Sequence, residues 1–182
     1  MRTILLLGLI LTGCGYYLQG TKNPLKELGV EKIYVKEFKN KSYRPGVEQM
    51  FTNAIIREVA KAKAFTLVNN PKEADAILSG EISAADGSII ETKETTLLNG
   101  LTQQVGSKYS AAVSCQVSLV SKTGRTIFSQ SVSDSKVYPG SILTGNSGAT
   151  VPLVNESEQR LAFQFLAQQE MATLYQSMIN IF

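Results

Sequence analysis

The sequence predicts an α+β fold, a two-layer sandwich in which two helices pack on one face of a mainly four-stranded mixed sheet. Three observations carry this prediction. A strand, an amphipathic helix and another strand follow one another over residues 31–68. A strand with strict alternation follows at 109–119. A long helical pattern then ends the chain, and Asn155 and Glu158 before it resemble a capping box.

The first half of the chain predicts a parallel strand–helix–strand unit. Residues 31–38 carry the β-branched and aromatic residues of a strand, and Pro45 stands where a helix can begin. Apolar residues then recur at helical spacing over 47–62. The short strand at 65–68 returns beside the first, and residues 76–82 continue or join that edge. Crossovers of this kind are right-handed in almost all proteins.

The second half contains the clearest strand and the least regular segments. Apolar and polar residues alternate over 109–119, as in a strand with one buried face. After a turn at 122–125, residues 126–135 are predicted to return antiparallel. Residues 86–106 show no firm period, which predicts a weak hairpin or a loop. Residues 139–152 are rich in glycine and hydroxyl side chains, which predicts a mobile loop.

The first fourteen residues predict a lipoprotein signal peptide. Arg2 precedes an apolar run, Ile4 to Leu11, that is too short to cross a bilayer and leads through Thr12-Gly13 into Cys14. This ending is typical of a bacterial lipobox, in which the cysteine thiol is acylated after cleavage. An ordinary signal peptide that ends near a cysteine is the alternative. We expect three regions: a signal peptide at 1–13, a lipidated N-terminus and short tether at 14–30, and a single α+β domain at 31–182.

Composition excludes several kinds of site. The chain has 18 Lys and Arg against 15 Asp and Glu, and this net charge of +3 is too mild to suggest nucleic acid. It has no histidine and two cysteines, so imidazole chemistry and a Cys-rich zinc site are excluded by count. Cys115 lies on the apolar side of the 109–119 strand, where we expect a buried thiol; an intermolecular disulfide is the alternative. No cofactor or metal is predicted.

The sequence offers no catalytic constellation. Asp86, Glu91 and Glu94 could act as paired carboxylates, but no spacing commits them to a shared pocket. Asp75 and Asp86 fit the ends of strands or turns instead. We therefore predict a protein that is not an enzyme.

One face of the predicted sheet carries small uncharged polar side chains. The polar positions of the 109–119 strand that point away from the helices are Ser110, Ser114, Gln116 and Ser118. A solvated face is one explanation, since antiparallel sheets commonly have one. Exposed faces more often carry Lys, Glu and Arg, however. Small hydrogen-bonding residues also suit contact with a polar protein wall, such as the lumen of a β-barrel.

Several segments taken together resemble one known family. They are Leu11-Thr12-Gly13-Cys14-Gly15-Tyr16-Tyr17-Leu18, Ile33-Tyr34-Val35 with Phe38 and Asn40, Pro45-Gly46-Val47-Glu48, Ala74-Asp75-Ala76-Ile77-Leu78-Ser79-Gly80, the 109–119 strand and Asn155-Glu156. In this order they are similar to the LptE family, the lipoproteins of the outer-membrane lipopolysaccharide translocon. The lipobox is the one sharp motif among them, and the rest is the order and character of the segments.

The resemblance implies a protein held on the periplasmic side of the outer membrane through Cys14. In Gram-negative lipoproteins an aspartate directly after the acylated cysteine commonly retains the protein at the inner membrane. Gly15 stands at that position here, which favours the outer membrane. The resemblance further implies that the protein lies inside the β-barrel of the partner LptD, where it assists barrel assembly and plugs the lumen. The polar residues at 110–118 would then face the partner.

Contact with lipopolysaccharide is also implied by the resemblance. In the family it is attributed to basic loop residues, since phosphorylated headgroups attract Lys and Arg. In this chain Lys93 and Lys108 stand near the ends of the loop before the central strand, and Lys122 and Arg125 at the hairpin tip are substitute candidates. The segment from Pro139 to Val154 has no basic residue, which departs from the family's pattern.

A lipoprotein that activates a peptidoglycan synthase is the alternative. Such proteins also pair an early strand and helix with a strand like Ala74–Gly80. They place a long disordered linker after the cysteine in order to cross the periplasm. Here residues 15–30 would reach about 55 Å at most when fully extended. The short tether favours a domain that works at the membrane.

Overall fold

The computed structural model describes residues 24–96, 100–144, 150–153 and 156–180. Within these ranges the helices are α1 (Pro24–Glu27), α2 (Val47–Ala62) and α3 (Glu156–Ile179), with a 3₁₀ turn at Pro71–Glu73. The strands are β1 (Lys32–Val35), β2 (Lys39–Asn40), β3 (Thr66–Leu67), β4 (Ala76–Thr96), β5 (Thr102–Ser121), β6 (Thr126–Pro139), β7 (Ser141–Thr144) and β8 (Thr150–Leu153).

The described strands form a mixed six-stranded sheet in the order β3-β1-β4-β5-β6, with β2 also paired to β4. β1 runs parallel to both β3 and β4, whereas β4, β5 and β6 form an antiparallel meander. The predicted α+β class is confirmed, but the expected four strands are six. One reason is the turn at Pro71–Glu73, which separates β3 from β4 so that the two strands flank β1 on opposite sides.

The strand predicted over 31–38 is interrupted. β1 and β2 both pair in parallel with β4, and the chain between them leaves the ladder. Phe38 turns into the core there, where it is 3% exposed, and its backbone N–H donates to Thr52 Oγ1 at 3.0 Å. Its ring occupies the space beside Gly80, where an added Cβ would overlap it.

Within the segment 86–106, the described residues 86–96 and 102–106 belong to β4 and β5 and form part of a long hairpin, the first of the two alternatives predicted there. The pairing of β4 with β5 runs from Ala76 opposite Ser121 to Thr96 opposite Thr102. The register shifts between Ile82 and Ala84 and again around Ile90. These irregularities change which residues share a face, and so no simple alternation is visible in the sequence.

The loop predicted over 139–152 is wrong for the residues that the structure describes there. β6 extends to Pro139, and β7 and β8 then pair antiparallel, from Ser141 opposite Leu153 to Thr144 opposite Thr150. Residues 145–149 lie outside the described residues, and so does Asn155 of the predicted capping box.

The hydrophobic core lies between the helices and one face of the sheet. α2 contributes the predicted stripe from Val47 to Val59, and α3 contributes residues such as Phe163 and Met171. The sheet contributes alternate residues of its central strands, among them Leu78, Ile82, Ala111, Val113, Cys115, Val117 and Leu119. Burial of such side chains is the main favourable term in folding.

The packed region begins before residue 31. Leu25 of α1 is fully buried and Val30 is 1% exposed, and both belong to the core cluster. Their backbones are tied together, because Val30 N–H donates to Leu25 O at 3.0 Å. Part of the segment expected to be tether therefore packs with the domain.

Candidate partner-binding face

Serines line the face of the sheet opposite the core. Because side chains alternate along a strand, the neighbours of buried Val113, Cys115 and Val117 point to this other face. The strand register then places matching polar residues of β4 and β6 beside them. We call this surface the open serine face; its uncharged polar members are Ser79, Ser83, Ser88, Ser110, Ser114, Gln116, Ser118, Ser129, Ser131, Ser133 and Ser135, and the carboxylates of Glu81 and Asp86 also lie on its β4 side.

The structure brings the four sequence-predicted face residues onto this one surface. Gln116 is exposed, and the three serines are half-buried by their neighbours in the sheet. Ser118 stands between Ser79 and Ser129, and Ser114 stands beside Ser133. The β6 serines join this surface through the register of the β5–β6 hairpin, which the sequence does not specify.

Hydrogen bonds between side chains cross the open serine face from strand to strand. The hydroxyls of Ser79 and Ser118 are 3.2 Å apart, and those of Ser114 and Ser133 are 2.9 Å apart. Ser83 Oγ donates to the Ser114 carbonyl at 3.2 Å. Each hydroxyl has one donor and two acceptor positions, so capacity for further hydrogen bonds remains. The surface is flat, hydroxyl-rich and able to bond a polar partner.

The side of the open serine face nearest β1 contains a groove of about 650 Å³. Tyr34, Ile77 and Val120 supply apolar lining, and Gln116 and Ser118 supply polar lining. The face therefore changes from a mixed groove beside β1, which Lys36, Glu37, Lys39 and Glu81 also line, to hydroxyl groups over β5 and β6. Such a mixed surface can bury apolar area while its polar groups remain hydrogen-bonded.

Glu81 and Lys41 place a charge pair beside the groove. Glu81 is opposite Gln116 in the β4–β5 register and also lines the groove. Its Oε1 lies 2.7 Å from Lys41 Nζ, with both side chains partly exposed. Exposed pairs of this kind contribute little to stability. Their effect is to reduce the net charge that this part of the face presents.

The structure does not bring the four basic candidates together. Lys122 and Arg125 are exposed in the turn between β5 and β6, whereas Lys93 and Lys108 lie towards the other end of the β4–β5 hairpin. Fourteen residues of nearly continuous strand separate Lys108 from Lys122, a distance on the order of 40 Å. These residues cannot form one anion site.

Lys108 is already engaged by a carboxylate. Its Nζ lies 2.6 Å from Glu91 Oε2, and Ser107 Oγ donates to the other oxygen at 3.1 Å. Both contacts lower the pKa of Glu91, with the Lys108 hydrogen bond the larger cause. Glu91 thus pairs with a lysine and not with Asp86 or Glu94, which are exposed. No cluster of three or more metal-ligating side chains occurs among the described residues.

Asp75 lies at the end of a strand, directly before β4, as predicted, whereas the same prediction for Asp86 is wrong because Asp86 lies in the middle of β4. Its carboxylate accepts the backbone N–H groups of Lys32 at 2.8 Å and Glu31 at 3.1 Å. These two hydrogen bonds lower its pKa. The carboxylate joins the start of β1 to the residue before β4 and is structural.

Glu170 is a buried carboxyl group that the sequence analysis did not single out. It is 4% exposed, and neither carboxyl oxygen has a hydrogen-bond partner. Burial and then the nearby Asp134 raise its pKa to about 8. The signal was its position between Ala167, Met171 and Leu174 on the apolar stripe of α3.

Cys115 is a buried free thiol, as predicted. Burial, and then the charge of Glu170, raise its pKa to about 12. Since the thiolate is the reactive form, this cysteine is unreactive in the folded protein.

None of the helices in the described part of the chain is long and apolar enough to span a bilayer.

Solved structures share this fold. An uncharacterized lipoprotein B from Nitrosomonas europaea is 12% identical, with a TM-score of 0.51 over 84% of this chain and 84% of that one. A protein from Xanthomonas campestris is 10% identical, with a TM-score of 0.51 over 82% of this chain and 83% of that one. At these identities the likeness concerns the fold alone. The comparison with curated proteins gives no match.

The fold and the open serine face define a mixed α+β protein with a broad polar surface suited to binding another protein. The sequence model of one protein family matches residues 30–178 of this chain and so shows which family it belongs to. The chain belongs to the LptE family, described as lipopolysaccharide-assembly. The resemblance found in the sequence is confirmed, and it places the protein in lipopolysaccharide assembly as an envelope lipoprotein.

Proposed function

We propose that the protein is a non-enzymatic outer-membrane lipoprotein that seats in an LptD-type β-barrel. There it assists assembly of the barrel, plugs its lumen and serves the insertion of lipopolysaccharide into the outer leaflet. The observation that carries this proposal is the open serine face. Family membership supplies the lipopolysaccharide-assembly context.

Small neutral side chains cover most of this face and keep the cost of desolvating it low; Glu81 and Asp86 are acidic exceptions on β4. Removing water from a hydroxyl costs far less than removing it from an unpaired charge. The cross-strand bonds at Ser79–Ser118 and Ser114–Ser133 already order several side chains. The lumen of a transmembrane barrel is polar and can supply matching donors and acceptors. These properties favour a protein wall over bulk water as the neighbour.

The N-terminal attachment fits the same arrangement. We propose cleavage after residue 13 and acylation of Cys14, which fixes the chain to the periplasmic side of the outer membrane. Because Leu25 is already in the core, about ten residues connect the lipid to the domain. Ten residues span about 35 Å at most. The domain is therefore kept beside the membrane in which the barrel sits.

Lys122 and Arg125 are the better placed of the proposed lipopolysaccharide contacts. Lys122 N–H donates to Asp75 O, and Asp75 in turn holds the start of β1. The turn therefore lies at the end of the sheet where the tether joins. A phosphorylated headgroup at the membrane surface could be reached there, whereas Lys93 and Lys108 lie at the opposite end and Lys108 is paired with Glu91.

Charge placed on the open serine face tests the proposal. Ser114→Lys puts an ammonium group in its centre, and Gln176→Lys on the exposed side of α3 is the matched control. We expect Ser114→Lys to reduce co-purified barrel at least about fivefold, because the charge would be buried without a partner, and Gln176→Lys to leave it unchanged. Full barrel recovery with Ser114→Lys, or recovery of a peptidoglycan synthase without a barrel, would contradict the proposal.

A further inference from the structure

A groove with three arginines runs between the N-terminal halves of α2 and α3. Its volume is about 810 Å³, and its charged lining residues are Arg44, Arg57, Arg160 and Glu156. The other lining residues are uncharged, so three positive charges against one negative give a formal charge of +2. We call this surface the arginine groove. It lies on the helix side of the sheet, away from the open serine face.

The arginines lack acidic partners within the described chain. The ion pairs there join lysines to Glu81, Glu58 and Glu91, and none involves an arginine. Arg44 is held in place, with its guanidinium carbon 5.0 Å from the centroid of the Phe163 ring. Its Nε is nevertheless buried and has no hydrogen-bond acceptor. An unpaired buried donor costs free energy, and no hydrogen bond at Nε offsets that cost in this structure.

The helix ends add to the positive potential of the arginine groove. Residues from the first turns of both helices line it, so α2 and α3 begin at the same end of the domain. The positive ends of the two helix dipoles therefore lie together. Glu48 already accepts a hydrogen bond from the Gly46 N–H at 3.1 Å, so this donor is not free to bind a ligand. The contribution of α2 is the electric field of its dipole.

The arginines of the groove come from different elements. Arg44 precedes α2 and packs on Phe163 of α3, Arg57 lies within α2, and Arg160 lies in the second turn of α3. Carboxylates carried by one chain would each meet one arginine through two hydrogen bonds.

The neutral polar residues of the groove suit a peptide. Four amide side chains line it, and each offers both donors and acceptors to peptide groups: Gln49, Asn53, Gln164 and Gln168. We propose that the arginine groove binds an acidic segment of a partner protein, with carboxylates that meet different arginines. The net positive charge of the groove and its amide side chains carry this assignment.

Two labelled peptides of equal length test the role of charge. Glu-Ser-Ser-Ser-Ser-Glu carries two carboxylates, and Gln-Ser-Ser-Ser-Ser-Gln replaces both with amides. Binding to the mature lipidated protein in detergent would be measured by fluorescence anisotropy at low salt. We expect the acidic peptide to bind at least about fivefold more tightly. Equal affinity for the two would overturn the proposal.

Matched variants locate the site. Arg57→Gln with Arg160→Gln removes two exposed charges of the groove, and Lys122→Gln with Arg125→Gln removes two from the β5–β6 turn. We expect a loss of affinity of at least about tenfold in the first and less than about twofold in the second. Equal losses would indicate general attraction by net charge and overturn the proposal, as would a first pair that binds like the unchanged protein.

Two further measurements separate the alternatives. Inorganic pyrophosphate that displaces the peptide at a lower concentration than unlabelled peptide would indicate a compact phosphate ligand and contradict the proposal. Ser114→Lys, which tests the barrel contact, should bind the peptide with unchanged affinity. The proposal for the arginine groove and the proposal for the open serine face can therefore be contradicted independently of each other.

Discussion

The ring of Phe38 packs against the bare backbone of Gly80 in β4, on the buried side of the sheet. This contact joins residues that are 42 positions apart and explains why the first strand is broken into β1 and β2. A side chain at Gly80 would occupy the volume of the ring. Phe38 would then have to leave the core or push the strands apart.

Gly80→Ala should destabilise the protein by about 1–3 kcal/mol, the usual effect of overpacking a core. Urea unfolding followed by circular dichroism measures this free energy. Ser79→Ala, on the adjacent open face, is the matched control and should cost under about 1 kcal/mol. Adding Phe38→Leu to Gly80→Ala should recover part of the loss. A Gly80→Ala protein as stable as the unchanged one would contradict the packing described.

Glu170 makes the stability depend on pH. Its pKa is about 8 in the folded protein, above the ordinary value of 4.5, so the folded state binds the proton more tightly than the unfolded state. Its contribution is therefore present at low pH and lost as the pH rises from about 4.5 to about 8. The slope from one such group is at most about 1.4 kcal/mol per pH unit.

Glu170→Gln should flatten this dependence, because the amide does not titrate. The free energy of unfolding, measured at several values between pH 5 and pH 8, gives the slope for each protein. The window is favourable because the chain has no histidine. Equal slopes in the two proteins would show that the Glu170 carboxyl is solvated or paired in solution.

The Cys115 thiol should resist alkylation in the folded state. It is 2% exposed and its pKa is raised to about 12, so almost no thiolate is present at pH 8. Iodoacetamide should label the mature protein only in urea, and mass spectrometry should then count one modified thiol. A second labelled thiol would mean that Cys14 carries no lipid on its sulfur. Rapid labelling without urea would contradict the burial of Cys115.

The sequence predicts elements whose pattern is set locally. β5 was visible because Ala111, Val113 and Cys115 all enter one core, which imposes alternation. The α2 stripe from Val47 to Val59 follows the helical period for the same reason. These elements were found because burial selects the residue type at each turn or pleat.

Elements that depend on distant contacts were missed or, like the outer part of the β4–β5 hairpin, predicted only as one of two alternatives. The β4–β5 hairpin has register shifts near Ser83 and Ile90, and its outer part is mostly exposed, so no apolar face marks it. The strand break at Phe38 depends on Gly80. The arginine groove depends on two helices beginning at the same end, which brings Arg57 beside residues a hundred positions later.

The candidate site, too, was predictable from the sequence only in part. Alternation along β5 identified the polar positions from Ser110 to Ser118. The rows that these residues form with β4 and β6 require the strand register, which the sequence does not specify. The basic candidates were chosen from loops without knowing that Lys108 pairs with Glu91 or that Lys122 lies at the other end of β5.

The contact between the open serine face and the barrel is the central claim, and site-specific photo-crosslinking in cells tests it most directly. A photoreactive residue at Ser131 would report on the face, and one at Gln176 would report on the helix side. We predict a stronger crosslink to the LptD-type barrel from Ser131 than from Gln176. A barrel crosslink from Gln176 alone, or from neither position, would contradict the account.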